Sequence, residues 1–174
     1  RDMRWVQCKR PMVIAGGELT LDMLDLSFNP TAKLYEAPLH LKANGGTFLI
    51  DDLGRQLVRP EALLNRWIVP MEKAIDYLAL DTGRTFSIPF DEILIFSTNL
   101  TPDDLMDPAF LRRIPYKVEI AYPTPDEFKA TFRAVCAKHQ LEPNEPLLLF
   151  IIGELQNRYA QPLSYFQPKF IVDQ

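Results

Sequence analysis

Runs of apolar residues with little polar alternation recur along the first two thirds of the chain. They cover residues 11–17 (PMVIAGG), 47–50 (TFLI), 92–97 (EILIFS) and, less strictly, 116–120 (YKVEI). Short runs of this kind are typical of strands that are buried on both faces, as in a parallel sheet. The pattern therefore predicts a parallel sheet whose strands come from separate parts of the sequence.

Stretches with helical spacing lie between these runs. Residues 18–26 and 63–71 carry apolar side chains at intervals of three and four, and residues 39–44 resemble a short helix. Residues 27–38 are interpreted as a loop. Strands that alternate with helices predict an α/β fold, here a three-layer arrangement around a mainly parallel sheet.

Two further segments have patterns of their own. The runs 76–80 and 85–89 flank Asp-Thr-Gly-Arg, which predicts a β-hairpin with Gly83 in the left-handed conformation. After residue 121 the composition changes, and Thr124, Pro125 and Glu127 form the capping box of a helix. A second helix is predicted over residues 147–159. We therefore predict an α/β domain over residues 1–121 and an all-helical domain over residues 122–174.

Composition and charge exclude several classes of protein. The 174 residues are 47% hydrophobic and 24% charged, which is typical of a globular protein, and the net charge of -4 creates no overall basic field for nucleic acid. Cys8 and Cys136 lack metal-ligand spacing, and His40 and His139 lack partners, so both histidines are interpreted as surface or capping residues. With no long apolar run, we expect a soluble, cytoplasmic protein.

Acidic and amide side chains follow two of the predicted strands. Asp51 and Asp52 come directly after residues 47–50, and Asn99 comes after residues 92–97. Parallel strands gather their carboxyl ends at one edge of a sheet, where two carboxylates can hold a magnesium shell and polarise water, and an amide can position that water. The competing interpretation is structural: a strand running into a solvated turn, and an asparagine that satisfies a turn.

A third motif, DPAFLRRI, follows these strands. Asp107 and Pro108 are predicted to start a short helix that leaves Arg112 and Arg113 at its end. Two arginines there can simply favour the helix C-terminus. They can also reach the nucleotide of a neighbouring subunit.

The ordered set FLIDD, hairpin, IFSTN, DPAFLRR and helical tail resembles the AAA+ ATPases over about residues 39–174. The segment LKANGGTFLIDDLGRQ and the hairpin look most like the MoxR-type and enhancer-binding-activator branches. The resemblance implies an ATP-binding, ATP-hydrolysing module with Mg²⁺ as cofactor, which works in a ring of copies, expected to be a hexamer, and remodels a protein partner.

The same resemblance assigns roles to individual residues. Asp51 and Asp52 match the Walker B acids, Asp51 holding Mg²⁺ through water, and Asn99 matches sensor 1. Either Arg113 or Arg112 matches the arginine finger. In the tail, PLSYFQPKF resembles the start of the lid helix that carries sensor 2, which makes Lys169 its counterpart. A lysine lacks the bidentate fork of the usual arginine.

Two departures from the family pattern matter. Asp52 stands where the family usually has glutamate, and the missing methylene withdraws the carboxylate by about 1.5 Å, so we expect slow turnover. The chain also contains no G-x-x-x-x-G-K-[ST] phosphate loop. We therefore expect that loop to lie upstream of Arg1, and the chain by itself neither to bind ATP tightly nor to hydrolyse it.

Two other functions remain open at this point. The first is a non-catalytic AAA+-like scaffold or regulatory module. The second is a nucleic-acid loader or transcription activator that uses a local basic surface, although the sequence contains no DNA-binding motif. The basic residues available for such a surface are Lys9, Arg10, Arg55, Arg59, Arg66, Arg112 and Arg113.

Overall fold

A computed structural model describes residues 3–4, 6–101 and 108–173, without the side chain of residue 109. In chain order, the strands are β1 (Met12–Ala15), β2 (Ser27–Asn29), β3 (Leu34–Glu36), β4 (Thr47–Ile50), β5 (Ile75–Ala79), β6 (Thr85–Pro89) and β7 (Ile93–Phe96). The α-helices are α1 (Leu39–Ala43), α2 (Pro60–Lys73), α3 (Pro108–Leu111), α4 (Pro125–Lys138), α5 (Glu145–Gly153) and α6 (Gln167–Val172). A single 3₁₀ turn, Leu21–Leu24, replaces the longer helix predicted over residues 18–26.

A three-stranded parallel sheet in the order β1-β4-β7 forms the centre of the first part of the chain. Ile14 pairs with Leu49, and Leu49 pairs with Ile95, so the three strands end level with one another. The prediction of an α/β fold with a mainly parallel sheet is confirmed.

The two faces of this sheet differ. Side chains on one face, such as Phe48 and Ile50, are fully buried, and Trp67 of α2 packs on Phe48 with ring centroids 5.6 Å apart. Side chains on the opposite face are solvent-exposed, for example Ile14 at 58% and Ile93 at 64%. The expectation that all three strands are buried on both faces is thus not met by the described residues, because α1 and α2 pack on one side.

The glycine pair before β4 has a structural cause. Gly45 adopts a left-handed backbone (φ 78°), and its N–H donates to the carbonyl of Asp91. At Gly46 a Cβ atom would lie 2.0 Å from the carbonyl oxygen of Pro11, so the approach of β1 to β4 leaves room only for glycine.

Two antiparallel hairpins accompany the sheet. Strands β5 and β6 form the predicted hairpin, and Gly83 in its loop has φ 79°. Strands β2 and β3 form a second hairpin where the sequence predicts a loop. Its turn is closed by Asn29, whose Oδ1 accepts hydrogen bonds from the backbone N–H groups of Thr31 and Ala32.

The strand predicted over residues 116–120 is absent from the structure. The sequence alternates as a strand would, but the side chains of Tyr116, Val118 and Ile120 are each more than 80% exposed. No neighbouring strand pairs with this segment among the described residues. An alternating pattern gives a strand only where a partner supplies hydrogen bonds.

Contacts divide the chain into one unit of residues 1–116 and another of residues 117–174. In the second unit, α4 begins with the predicted capping box: Thr124 Oγ1 accepts from the Glu127 N–H, and the Glu127 carboxylate accepts from the Thr124 N–H. Helix α5 continues into a π-helical turn at Glu154–Arg158. The core of this unit consists of Phe128, Phe132, Cys136, Leu148, Ile152 and Leu163. None of the helices in the described ranges is long and apolar enough to cross a bilayer.

A stability prediction follows from the end of α2. Ala74 caps this helix in the left-handed conformation (φ 53°), which strains any residue with a Cβ. Ala74→Gly should raise the free energy of unfolding by about 1 kcal/mol, measured by urea denaturation. As a control, Ala130→Gly at an exposed position inside α4 should lower it by about the same amount. If Ala74→Gly lowers the free energy of unfolding as Ala130→Gly does, the backbone at Ala74 is not strained.

Candidate functional site

The acids after β4 lie at the carboxyl edge of the sheet. The backbone N–H of Asp51 donates to the carbonyl of Ala15 (2.8 Å), and the N–H of Leu53 donates to the carbonyl of Ser97 (2.7 Å). The chain is therefore held by β1 on one side and by the end of β7 on the other. Asp52, between these two bonds, adopts the left-handed conformation (φ 51°), and its N–H donates to Asp51 Oδ1 (3.1 Å). Both carboxylates are exposed to solvent.

Asn99 stands beside these acids. Its Nδ2 donates to Asp52 Oδ1 at 3.5 Å, the long end of a hydrogen bond. Thr98 fixes the position: its Oγ1 donates to the Leu53 carbonyl (2.8 Å) and accepts from the Leu100 N–H (3.1 Å). The structure thus places two carboxylates and one amide together at the edge where the sequence predicts them.

Gln56 stabilises this edge through side-chain hydrogen bonds, and the sequence analysis did not identify it. The side chain is buried; its Nε2 donates to the Asp51 carbonyl (3.0 Å) and to the Gly16 carbonyl (3.3 Å), and its Oε1 accepts from the Gly54 N–H (2.9 Å). It ties the turn after β4 to the end of β1. No periodicity or motif marks a lone glutamine of this kind.

Charged groups around the edge are exposed. Arg55 Nε lies 4.0 Å from Asp52 Oδ1, and both side chains are more than half exposed, so water screens this pair. Glu18 accepts a hydrogen bond from the Gly16 N–H (2.9 Å), and this bond lowers the pKa of its carboxyl group. Solvent-exposed carboxylates at a sheet edge suit the binding of a cation with its own water shell.

The two candidate arginines have different surroundings. Phe110 of α3 is buried against Phe96 of β7, with ring centroids 6.1 Å apart, and this contact anchors the segment. Arg113 then turns back to α2, where its Nε donates to Glu72 Oε1 (2.7 Å). Arg112 is exposed, with no ion pair in the part of the chain that the structure describes. Asp107, predicted to start α3, lies outside the described residues.

Lys169 lies on α6 in the second unit, with its side chain exposed.

The residues present fit a magnesium ion only in part. Across residues 3–4, 6–101 and 108–173, no cluster of three histidine, cysteine or acidic side chains could hold a metal ion by itself. Magnesium characteristically binds through one or two carboxylates and completes its octahedron with water and substrate phosphates. Asp51 and Asp52 are two neighbouring exposed carboxylates, which is the number that this mode of binding needs.

A second polar cluster is buried where α1, α2 and β5 meet. Arg66 donates to both carboxylate oxygens of Asp76 (2.7 Å each), and Nε2 of His40 lies 2.8 Å from Asp76 Oδ2. Burial alone would raise the pKa of Asp76, but the adjacent His40 and hydrogen bonds from Arg66 and the Tyr77 N–H hold it far below its usual range. The interpretation of His40 as a surface or capping residue is wrong, because it is fully buried.

Glu92 lies near this cluster, and its pKa is shifted in the opposite direction to that of Asp76. Both of its carboxylate oxygens are buried without a hydrogen-bond partner among the described residues. Burial and the negative charge of Asp76 raise the pKa of Glu92 to about 8.

The cluster of His40, Arg66 and Asp76 joins β5 of the hairpin to α1 and α2, so it sets the position of the hairpin relative to the sheet.

Comparison with known proteins gives partial matches. The model of a domain of unknown function (DUF8689) matches residues 124–174, and no curated protein matches the chain. A crystal structure of NtrX from Brucella abortus has a TM-score of 0.55 and 11% identity, over 74% of this chain and 30% of that one. NtrX in complex with ADP has a TM-score of 0.53 and 13% identity, over 77% of this chain and 32% of that one.

A third structure, NtrX in complex with ATP, has a TM-score of 0.50 and 13% identity over 74% of this chain and 31% of that one. The chain thus spans about a third of the length of these structures. At such low identity the likeness shows the fold alone. That fold is α/β with a mainly parallel sheet and a helical region, and it is consistent with the partial AAA+ core that the sequence resemblance implies.

Proposed function

We propose that this chain is part of a AAA+ module that binds and hydrolyses ATP and uses the reaction to remodel a protein partner. The observation that carries the proposal is the placement of Asn99 beside Asp52 at the carboxyl edge of a parallel sheet, with Asp51 next to it. This edge is where ligands bind in open α/β sheets. The complexes of NtrX with ADP and ATP support a nucleotide as the ligand.

Each side chain has a role in the proposed reaction. Asp51 holds the water shell of Mg²⁺; the ion, when bound, would neutralise charge on the phosphates. Asp52 accepts a proton from the attacking water. The Asn99 amide both donates and accepts hydrogen bonds, so it orients that water against a γ-phosphate oxygen. Gln56 holds the turn after β4 in place through its hydrogen bond to the Asp51 carbonyl. A fixed turn matters because small displacements of catalytic groups lower the reaction rate.

The ring arrangement is part of the proposal. An arginine finger acts on the nucleotide of the next subunit, so its side chain must extend away from the subunit that carries it. We favour Arg112 for this role, because Arg113 is engaged with Glu72 of its own chain. We assign Lys169 to sensor 2. Of the two branches that the sequence resembles, we favour the enhancer-binding activators, since the likeness to NtrX gives no support to the MoxR-type branch.

The test is phosphate release by the protein expressed from its whole coding sequence. Asp51→Ala and Asn99→Ala should each lower kcat by about 100-fold. Asp91→Asn, an exposed acid on the same unit but away from the site, should leave it unchanged. The 174-residue chain, which has no phosphate loop, should release no phosphate. Unchanged turnover in Asp51→Ala would contradict the proposal.

The alternative is a non-catalytic scaffold with the same fold, and the absence of G-x-x-x-x-G-K-[ST] from the chain favours it. The coding sequence before Arg1 separates the two functions. A phosphate loop there, together with phosphate release, excludes the scaffold. Its absence, together with a whole protein that binds no ATP, excludes the ATPase.

A further inference from the structure

An open cavity of about 640 Å³ lies between the β2–β3 hairpin and the end of β5 in the first unit. Its walls come from the segment around Asp25, from both strands of the β2–β3 hairpin, and from residues 79–81. This volume lies within the usual range for small-molecule and side-chain pockets, about 300–1,000 Å³. None of the residues that line this cavity belongs to the carboxyl edge of the sheet with Asp51, Asp52 and Asn99.

The charge of this cavity is one-sided. Asp22, Asp25 and Asp81 line it, and none of the lining residues is basic. Arg66 lies 3.6 Å from Asp25, but its guanidinium is already bound to both oxygens of Asp76. Asp22 and Asp81 have no ion pair within the described residues. The cavity therefore presents uncompensated negative charge.

Aromatic rings also line the cavity. Phe28 and Tyr35 face each other across the β2–β3 hairpin, with ring centroids 4.8 Å apart and planes tilted by 40°. Both are more than a third exposed, and the Tyr35 hydroxyl accepts a hydrogen bond from the Asp81 N–H (3.0 Å). That bond links the two hairpins, so the rings and the Asp81 carboxylate are held together.

These features select one class of ligand. A metal ion does not fit, because no three acidic side chains converge among the described residues. An anion is repelled by the carboxylates. A guanidinium suits both the carboxylates and the rings, since it pairs with carboxylates through a fork of N–H groups and stacks on aromatic faces. Lysine offers the charge without the planar face.

We propose that this cavity binds an arginine side chain on a basic segment of a protein partner. The proposal deepens the partner function proposed above and rests on it only for the identity of the molecule that supplies the arginine. Binding at the cavity itself needs no nucleotide, so it is measurable whether or not the protein hydrolyses ATP.

The experiment is a titration of the ¹⁵N-labelled chain with acetyl-Arg-Arg-Arg-amide, followed by amide chemical shifts. The same peptide with citrulline in place of arginine is the neutral control of equal shape. Shift changes should concentrate in residues 22–35 and 79–81, and the citrulline peptide should produce none. Affinity should fall with added salt, as expected for partly exposed charges.

Variants localise the binding. Asp22→Asn, Asp81→Asn and Phe28→Ala should each weaken it about three- to fivefold, the size of one exposed ion pair or cation–π contact. Asp91→Asn removes an equal charge elsewhere and should have no effect. Shifts spread over all acidic surfaces, equal binding of the citrulline peptide, or an equal loss in Asp91→Asn would each overturn the proposal. Failure of phosphate release alone would leave it standing.

Discussion

Replacing Gly46 with alanine is expected to prevent stable folding of the parallel sheet. A Cβ at this position would lie 2.0 Å from the Pro11 carbonyl oxygen and 2.9 Å from its carbonyl carbon. These are backbone atoms, and the same oxygen accepts the hydrogen bond from the Thr47 N–H that begins the pairing of β1 with β4. Relief of the clash requires the strands to separate. The cost is about 3 kcal/mol or more.

Urea denaturation followed by circular dichroism measures this effect, and neighbouring glycines supply the controls. Gly17→Ala places its Cβ 3.7 Å from the Arg55 carbonyl oxygen, an ordinary contact, and should change stability little. Gly45→Ala meets open space but is strained by φ 78°, so it should cost about 1 kcal/mol. If Gly46→Ala unfolds at the same urea concentration as Gly17→Ala, the close approach of β1 to β4 is wrong.

Replacing Glu92 with glutamine should stabilise the protein at alkaline pH. The pKa of Glu92 is raised from an ordinary value of about 4.3 to about 8, because its carboxyl group is buried and lies near Asp76. Between these two pH values the folded state keeps a proton that the unfolded state has lost. The contribution of Glu92 is therefore fully present below pH 4.3 and decreases as the pH rises to about 8.

Glutamine is neutral throughout, so Glu92→Gln should remove this pH dependence. We expect the variant to gain about 2–4 kcal/mol relative to the wild type between low pH and pH 9. Urea denaturation across that range measures the difference. Glu61→Gln, at an exposed position in the first turn of α2, is the control and should follow the wild-type curve. Parallel curves for Glu92→Gln and the wild type would show that Glu92 is ionised in the folded state.

The sequence predicts well those elements whose cause is local. Strand β4 matches its predicted range, because a threonine and three apolar residues between glycines and acids leave little choice. Hairpin β5–β6 follows from Gly83, and α4 follows from the capping box at Thr124. In each case a few neighbouring residues determine the backbone without help from distant parts of the chain.

Elements that depend on distant partners are predicted poorly. Strands β2 and β3 are three residues long and exposed throughout, so no burial pattern marks them. Residues 116–120 have a strand-like pattern, but the described structure gives them no strand to pair with. Both cases depend on hydrogen bonds between segments, which periodicity within one segment does not reveal.

The candidate site divides in the same way. Asp51, Asp52 and Asn99 are found from sequence, because they follow apolar runs and parallel strands end together. Gln56 is missed because its three partners are backbone atoms, and one of them, the Gly16 carbonyl, belongs to a distant segment. The contact of His40 with Asp76 is missed because a buried polar contact between distant residues leaves no spacing rule in the sequence.

The left-handed backbone of Asp52 limits the amino acids that mutation can place there. At φ 51° glycine, asparagine and aspartate are the residues that fit with the least strain, because glycine has no Cβ and the short polar side chains of the other two can hydrogen-bond locally. Of those three, only aspartate carries a carboxylate. Glutamate would add a methylene, but it would do so in a conformation that glutamate tolerates less well. The left-handed turn therefore favours the short acid over glutamate at this position.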